Sequence, residues 1–256
     1  MIFLRSVYSE WLKTRKSNSF WFTVVGGIFI PVLAFIKFIY TETSINTGVK
    51  SDIWKHYFGD LWHMMAGLLL PFGVILASSM ITQIEYRNNS WKQLLTTPQS
   101  YIVIFLSKLS ILFLMMLQFF IIFNVAIIIS GMLSSLIIDG YLPKETIPIG
   151  YFVKENIKYF IACMPIVAIQ YLISLHFKSF LVSIGIGFVA LIGTAMSASW
   201  KYILLSPFAF EMIVADYKRF NILPTFGYNI YVLALLSFLV ITIINYFIYS
   251  NRKIRS

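Results

Sequence analysis

The sequence predicts an all-α integral membrane protein with six transmembrane helices. Of its 256 residues, 59% are hydrophobic and only 12% are charged, whereas a soluble domain has about 25% charged residues. So few polar side chains do not cover a water-facing surface, and the apolar residues fall into runs long enough to cross a bilayer. In such a protein the net charge of +10 is expected to mark membrane-flanking segments and contacts with anionic membrane lipid, not a nucleic-acid partner. We expect a single domain that covers residues 1–256.

The N-terminal segment predicts an amphipathic helix that lies in the membrane interface. Its apolar residues share one helical face: Phe3, Leu4, Val7, Tyr8, Trp11 and Leu12. Its polar residues share the other face: Arg5, Ser9, Glu10 and Lys13. The helix leads into the basic cluster "KTRK", a pattern typical of helices on membrane surfaces. The alternative interpretation is a simple cytoplasmic tail.

Six stretches are apolar enough to cross the ~30 Å hydrocarbon core as helices, which requires about 20 residues because backbone amides find no water there. They cover about residues 20–40, 61–82, 102–130, 159–175, 180–199 and 228–249. The third is long and the fourth is short, so tilted or ragged ends are expected. Lys37 and Lys108 lie near span ends and are predicted to extend to the aqueous boundary. The single cysteine, Cys163, lies in an apolar run and is predicted to be a buried thiol.

A few polar and small residues inside these spans predict contacts between helices. Gln118 and Asn124, in the third span, are predicted to form interhelical hydrogen bonds, with a translocation lining as the alternative. The fifth span contains two small-x-x-x-small pairs, Ser183 with Gly187 and Gly193 with Ser197. Such pairs predict close helix packing.

The distribution of charge predicts that both termini are cytoplasmic. An even number of spans places the termini on one side, together with the loops at about 83–101 and 175–179. That side holds basic residues crowded into short segments beside the span ends: Arg5, Lys13, Arg15, Lys16, Arg87, Lys92, Lys108, Lys178, Arg252, Lys253 and Arg255. The positive-inside rule assigns such segments to the cytoplasm.

Two longer segments, at about 41–60 and 200–227, then face outward. The second is apolar but interrupted by Pro207, Glu211, Asp216 and Pro224. It is too interrupted to cross the membrane, and we expect it to fold back in the outer leaflet as a helical hairpin.

The chain carries no motif for nucleotide binding or catalysis. The phosphate loop G-x-x-x-x-G-K-[ST], the fingerprint G-x-G-x-x-G, the zinc helix H-E-x-x-H and the nucleophile elbow G-x-S-x-G are all absent. The longest cytoplasmic stretch, about twenty residues, is too short to fold a nucleotide-binding domain. We therefore expect no enzymatic activity and no bound cofactor in this chain, and any ATP and Mg would be bound by a separate subunit.

One set of side chains has the spacing of a metal site. Asp52, His56, Asp60 and His63 follow one another at intervals of four, four and three and would share one helical face. Carboxylates and imidazoles on one face can hold a divalent cation. Tryptophan and tyrosine residues between them are typical of an interfacial helix, and we prefer that interpretation to a metal site.

The stretch "QIEYRNNSWKQLLTTPQS", residues 83–100, interrupts the apolar sequence with a polar turn and a short helix. The letters NNS favour a turn and a helix start. In the two helical turns that follow, Trp91, Leu94 and Leu95 share one side, Lys92 takes the other, and Pro98 ends the helix. The pattern predicts a short helix on the cytoplasmic membrane surface, rigidly joined to two spans. The alternative is a linker whose Trp91 only anchors at the interface.

This stretch, with the six-span layout around it, resembles the permease subunits of ABC-2 type exporters. The closest resemblance is to the small permeases of the lantibiotic-immunity and bacitracin-resistance groups. These share the chain length, the N-terminal amphipathic helix leading to a basic cluster ("EWLKTRKS") and a loop of the form E…W/T-K-x-L-L-T-x-P. The loop pattern is matched here by Glu85, Trp91, Lys92, Leu94, Leu95, Thr96 and Pro98. The layout covers the whole chain and the specific match about thirty residues; the family often has Gly-Thr or a small residue before the lysine, where this chain has Ser90-Trp91.

The resemblance implies a mechanism in which the loop helix docks in a groove on a separate ABC ATPase. Closure of the ATPase dimer on ATP would then tilt the second and third spans. The ATPase-coupling residues would be Glu85, Arg87, Trp91, Lys92, Leu94, Leu95 and Pro98. His176 and Lys178, in the second cytoplasmic loop, would form a further contact, although His176 is also consistent with an ordinary surface residue.

The resemblance also implies a bacterial cell membrane, a second permease that is identical or similar to this one, and an amphiphilic substrate such as a cationic antimicrobial peptide. Three alternatives stay open on the sequence. They are an ABC-2 permease for a lipid, drug or glycan, a membrane-embedded enzyme, and a non-transporting scaffold or sensor.

Overall fold

The computed structural model describes residues 2–15, 17–41, 53–87, 100–137, 147–216 and 229–251. These residues form helices and turns, without a strand among them. The α-helices are α1 (Ile2–Arg15), α2 (Asn18–Thr41), α3 (Ile53–Met64), α4 (Leu70–Arg87), α5 (Tyr101–Ile137), α6 (Ile149–His176), α7 (Phe180–Met196), α8 (Ala209–Ala215) and α9 (Ile230–Asn251). A π-helical segment, Met65–Leu69, joins α3 to α4, and a 3-10 turn, Ile203–Leu205, precedes α8. The predicted all-helical class is confirmed for this part of the chain.

In the described part of the chain, five helical segments are long and apolar enough to cross a membrane: Asn18–Lys37, Trp54–Ile84, Tyr101–Ser134, Ile149–His176 and Ile230–Ser250. They correspond to five of the six predicted spans. The remaining one is represented by α7, whose 17 residues would extend about 26 Å at 1.5 Å per residue, less than the ~30 Å core. A crossing by residues 180–199 therefore stays a prediction, although the surface of α7 is apolar, with Leu181 79% exposed and Val189 70% exposed.

Two helical segments extend beyond the predicted spans. The fourth span was predicted to cover 159–175, but α6 begins at Ile149 and has 28 residues. Within its first turns, Glu155 and Lys158 form an ion pair along the helix surface. The second span was predicted to begin at residue 61, but α3 continues through the π-helical segment into α4, so the apolar segment Trp54–Ile84 is continuous.

The centre of the core lies where α3, α5 and α6 meet around Trp62. The indole is fully buried and stacks on Tyr159 with ring centroids 4.3 Å apart. Phe120 and Phe123 of α5 lie 5.0 and 4.9 Å from it. Large aromatic surfaces that pack in offset and edge-on geometries stabilise such a junction beyond their buried area. Cys163 is buried as predicted.

Glycines decide how closely two pairs of helices approach. A Cβ on Gly27 of α2 would lie 3.1 Å from Cγ2 of Ile122 on α5, and one on Gly187 of α7 would lie 2.4 Å from Oε1 of Gln170 on α6. The first small-residue pair of α7 therefore packs closely, as predicted. The second does not, because a Cβ on Gly193 would meet no described atom within 4 Å; small residues at the right spacing also occur on open helix faces.

Candidate functional site

The predicted coupling helix lies outside the described residues. Helix α4 ends at Arg87 and α5 begins at Tyr101, and the coupling residues between those ends are Trp91, Lys92, Leu94, Leu95 and Pro98. Glu85 and Arg87 belong to the last turn of α4. The structure therefore gives the two helices to which the segment is joined, and the role of its side chains stays a prediction.

The second predicted contact lies beside the end of α4. Residues 177–179 link α6 to α7, and both His176 and Lys178 are exposed there. The amide nitrogen of Gln83, near the end of α4, donates a hydrogen bond of 2.6 Å to the backbone carbonyl of Lys178. The end of α4 and the α6–α7 link thus share one end of the helix bundle.

The N-terminal helix is joined to the same end by a buried ion pair. Lys108 of α5 donates to Oε2 of Glu10 at 2.9 Å, and Lys13 donates to Oε1 at 2.6 Å. Glu10 is 8% exposed and Lys108 is 1% exposed. The prediction that Lys108 extends to the aqueous boundary is therefore wrong, because its ammonium group is satisfied inside the protein by a carboxylate from α1.

The electrostatics of this joint favour ionised Glu10. Burial raises the pKa of the Glu10 carboxyl, but the ammonium groups of Lys108 and Lys13 outweigh burial and hold that pKa below its ordinary value. Next to the ion pair, the hydroxyl of Ser6 donates to that of Ser107 at 3.1 Å. The polar face of α1 thus packs on α5, while apolar residues on its other side, such as Leu4 at 71% exposed, face outward.

A buried polar cluster ties α4, α6 and α7 together. The hydroxyl oxygens of Ser79 and Ser183 lie 3.0 Å apart, and those of Ser174 and Ser183 lie 2.8 Å apart. The Gln170 amide nitrogen donates to the Ser183 backbone carbonyl at 3.0 Å and to the Ser79 hydroxyl at 3.2 Å. A nucleophilic serine needs an adjacent base, whereas this network consists of hydroxyls and one amide. It is suited to holding three helices in register.

Polar contacts between α5 and its neighbours follow the prediction. Asn124 and Asn156 exchange two reciprocal hydrogen bonds of 2.8 Å between α5 and α6. The Gln118 amide donates to the hydroxyl of Thr23 on α2 at 3.3 Å. The predicted interhelical hydrogen bonds of Gln118 and Asn124 are therefore confirmed.

A buried carboxyl group lies on α8. Glu211 is 0% exposed, and neither of its oxygens has a hydrogen-bond partner in the described part of the chain. Burial raises the pKa of Glu211 well above its ordinary value, and the neighbouring Cys163 thiol opposes this effect only in part. The geometry favours a protonated, neutral carboxyl group at this position.

The histidines and aspartates of α3 do not assemble with other ligands. Asp52 lies outside the described residues, and His56, Asp60 and His63 belong to no group of three or more metal-ligand side chains in the part that the structure describes. The ring of His63 instead contacts the backbone carbonyl of Ala215 through Nδ1 at 3.0 Å. This contact connects α3 to the end of α8.

The serine–glutamine cluster and the state of Glu211 were missed in the sequence. Their signal is present, since Ser79, Gln170 and Ser174 are polar residues inside long apolar runs. Such residues usually face the interior of a membrane bundle. Which of them meet, however, depends on helix rotation, which one sequence does not determine.

The comparisons with known proteins give one family. A family model described as "ABC-2 family transporter protein" matches residues 6–194, a range that begins in α1 and ends in α7. No curated protein and no solved structure matches the chain. The matched range covers most of α1, the segment between α4 and α5, and the buried polar cluster that joins α4, α6 and α7. This multi-pass membrane chain belongs to the ABC-2 family of transporter proteins.

Proposed function

We propose that this chain is the transmembrane permease of an ATP-driven exporter whose ATPase is a separate subunit. The observation that carries the proposal is the membership of the ABC-2 family. The structure adds that Gln83, near the end of α4, donates a hydrogen bond to the α6–α7 link, so both predicted ATPase contacts adjoin one end of the bundle. An ATPase that docks on the segment after Arg87 would therefore also reach His176 and Lys178. The coupling residues are Glu85, Arg87, Trp91, Lys92, Leu94, Leu95 and Pro98.

Stiff connections at this end support the proposed coupling. The N-terminal part of α5 is joined to α1 by the Glu10–Lys108 ion pair. The C-terminal half of α4 is joined to α6 and α7 by the polar cluster around Ser79 and Ser183. A push on the segment between α4 and α5 would therefore move packed helices together, since packed interiors transmit strain.

The charge pattern and the family support a proposed orientation and assembly. Both termini and the coupling segment lie in the cytoplasm, residues 180–199 cross the membrane as the sixth span, and the membrane is that of a bacterial cell. Two such permeases, identical or similar, act with two ATPase subunits that hold ATP and Mg. The substrate is amphiphilic, with a cationic antimicrobial peptide as the first candidate.

The test is reconstitution with and without the coupling side chains. The chain is purified in mild detergent, a co-purifying ABC ATPase is identified by mass spectrometry, and the complex is placed in vesicles with a labelled cationic peptide. Trp91→Ala removes a large anchor side chain, and such anchors contribute at least about 2 kcal/mol at protein interfaces. We expect about thirtyfold weaker ATPase binding and no ATP-dependent peptide movement, and we expect the same from Glu85→Lys.

Trp200→Ala is the matched control. Trp200 is 51% exposed and lies in the turn after α7, far along the chain from the predicted contacts, so its loss should leave ATPase binding unchanged. Full peptide transport by Trp91→Ala, or activity of the purified chain without any ATPase, would refute the proposal. Peptide-independent ATPase stimulation by a lipid, drug or glycan would reject the peptide as the substrate.

A further inference from the structure

A cavity of about 270 Å³ lies between α2, α4 and α5. Its inner wall is formed by buried apolar side chains, among them Met115 at 1% exposed, Leu112 at 4% and Val167 at 1%. Its rim includes Val25 and Phe29, which are 61% and 48% exposed. The cavity therefore opens beside a face of α2 that faces outward from the bundle.

The apolar walls of the cavity favour a hydrocarbon ligand. The lining is apolar apart from two hydroxyl side chains, and cavities with apolar walls stay free of water. Since α2, α4 and α5 include candidate membrane spans, the medium at the rim is acyl chain. Met65 and Leu69 of the π-helical segment close one end, and such segments often occur at functional positions.

The two hydroxyl side chains give the cavity a polar end. In α2, Thr23 lies about 8 Å along the helix from Asn18, where the candidate span starts, at 1.5 Å per residue. In α4, Ser78 lies about 9 Å before Ile84, where the next candidate span ends. Consecutive spans run in opposite directions, so both hydroxyls lie near the same membrane surface. The Ser78 hydroxyl is buried and has no hydrogen-bond partner in the described part of the chain. A donor at this depth matches the ester carbonyl of a lipid whose acyl chain lies in the cavity.

We propose that the cavity between α2, α4 and α5 is a binding site for one acyl chain of a membrane phospholipid, with its ester end toward Ser78 and its tail toward the π-helical segment. This site does not depend on the transport function proposed above. A lipid chain bound there would fill the space between the helices of the first two predicted spans. The methionines of its wall, Met115 and Met116, provide flexible and polarisable surface that adapts to a disordered chain.

The experiment uses the full chain in phospholipid vesicles that contain a phosphatidylcholine with a diazirine near the ester end of one acyl chain, since the hydrogen bond of Gln118 to Thr23 places Met115 and Met116 at that end of the cavity. After illumination, adducts are mapped by mass spectrometry. We expect label on the buried residues Met115 and Met116, in addition to exposed residues such as Leu117, which is 47% exposed. Label on exposed residues alone would overturn the proposal.

Two glycine variants separate the cavity from the general lipid surface. A Cβ on Gly73 meets no described atom within 4 Å, and Gly73 lines the cavity, so Gly73→Leu would fill it. A Cβ on Gly185 of α7 also meets no described atom within 4 Å, and Gly185 is exposed outside the cavity. We expect Gly73→Leu to reduce the label on Met115 at least fivefold and Gly185→Leu to leave it unchanged.

A second cavity variant guards against a folding defect. Ala77→Leu, on the same wall, should reduce the label in the same way, and both variants should elute from size-exclusion chromatography like the wild type. Equal labelling of Met115 in all variants would reject the site. Labelling by a diazirine-bearing detergent but not by the phospholipid would assign the cavity to another amphiphile and would also reject it.

Discussion

Removal of the Glu10 carboxylate should release the N-terminal helix from the bundle. Glu10 of α1 accepts from Lys108 of α5 and from Lys13 of its own helix. Glu10→Gln keeps the shape of the side chain but removes the carboxylate charge that pairs with the buried ammonium group of Lys108. The ion pair joins residues 98 positions apart, so its loss acts on tertiary packing and not on the helix itself.

The size of the effect follows from burial. Loss of one partner of a buried ion pair costs about 3–5 kcal/mol, and the lower end applies here because Glu10 is 8% exposed whereas Lys108 is 1% exposed. About 3 kcal/mol corresponds to more than a hundredfold increase in the undocked population of α1. Lys108→Met should lower the stability of the docked helix by less, about 1–2 kcal/mol, because Glu10 still pairs with Lys13. The double variant should lose less stability than the sum of the two single variants, because both changes remove the same interaction.

The assay is the rate at which maleimide modifies a cysteine placed under α1. Ser107→Cys, in a Cys163→Ala background, places a thiol where a 1% exposed hydroxyl contacts α1. Modification of a buried group follows the opening equilibrium when closing is fast, so Glu10→Gln should raise the rate about a hundredfold. Ser134→Cys, also 1% exposed but near the other end of α5, should react at an unchanged rate. A rise of less than threefold at Ser107→Cys, or an equal rise at Ser134→Cys, would refute the reasoning.

Three further predictions test other contacts by thermal unfolding in detergent. Asn156→Leu breaks the reciprocal amide pair with Asn124 and should cost about 0.6–1.7 kcal/mol, part of which the double leucine variant should recover; an unchanged melting temperature in the single variant would show that the pair contributes nothing. Gly187→Ala places a Cβ 2.4 Å from a buried glutamine oxygen and should cost about 1–3 kcal/mol by overpacking, whereas Gly193→Ala, on an open face, should be neutral or stabilising. The pKa of Glu211 is raised in the folded state, so the folded protein keeps a proton that the unfolded chain releases above about pH 4.5. The stability that this group contributes therefore falls as pH rises. Glu211→Gln should therefore raise the melting temperature more at pH 8 than at pH 5, and an equal shift at both values would contradict a neutral Glu211.

Composition and run length were sufficient to predict the all-helical class and the long apolar spans. They were not sufficient for helix ends. The apolar stretch predicts a span from residue 159, whereas α6 starts at Ile149 and includes the ion pair of Glu155 with Lys158. A helix can thus extend beyond the apolar run that predicts it.

Side-chain partners were predictable only in part. Gln118 and Asn124 were recognised as interhelical donors because an amide in an apolar run needs a partner in the interior. For Lys108 the prediction was wrong, because it rested on the position near a span end, whereas the side chain is 1% exposed and pairs with Glu10. The partner, Glu10, lies on a helix that was predicted to rest in the interface, and its approach to α5 depends on a tertiary arrangement that spacing does not encode.

The positions of the polar contacts bear on how force would pass through this permease. The Glu10–Lys108 pair, the Ser79–Ser183 cluster and the Gln83–Lys178 hydrogen bond all lie near the ends of α4 and α5 that flank the predicted coupling segment. Polar contacts of this kind are directional, so they resist sliding better than apolar packing does. The cavity begins next to this cluster, at Ser78, and extends along α2, α4 and α5 to the π-helical segment, where its walls are apolar. On the proposed coupling to an ATPase, Glu10→Gln should lower the peptide transported per ATP hydrolysed in the reconstituted complex, while ATPase binding measured in detergent stays unchanged.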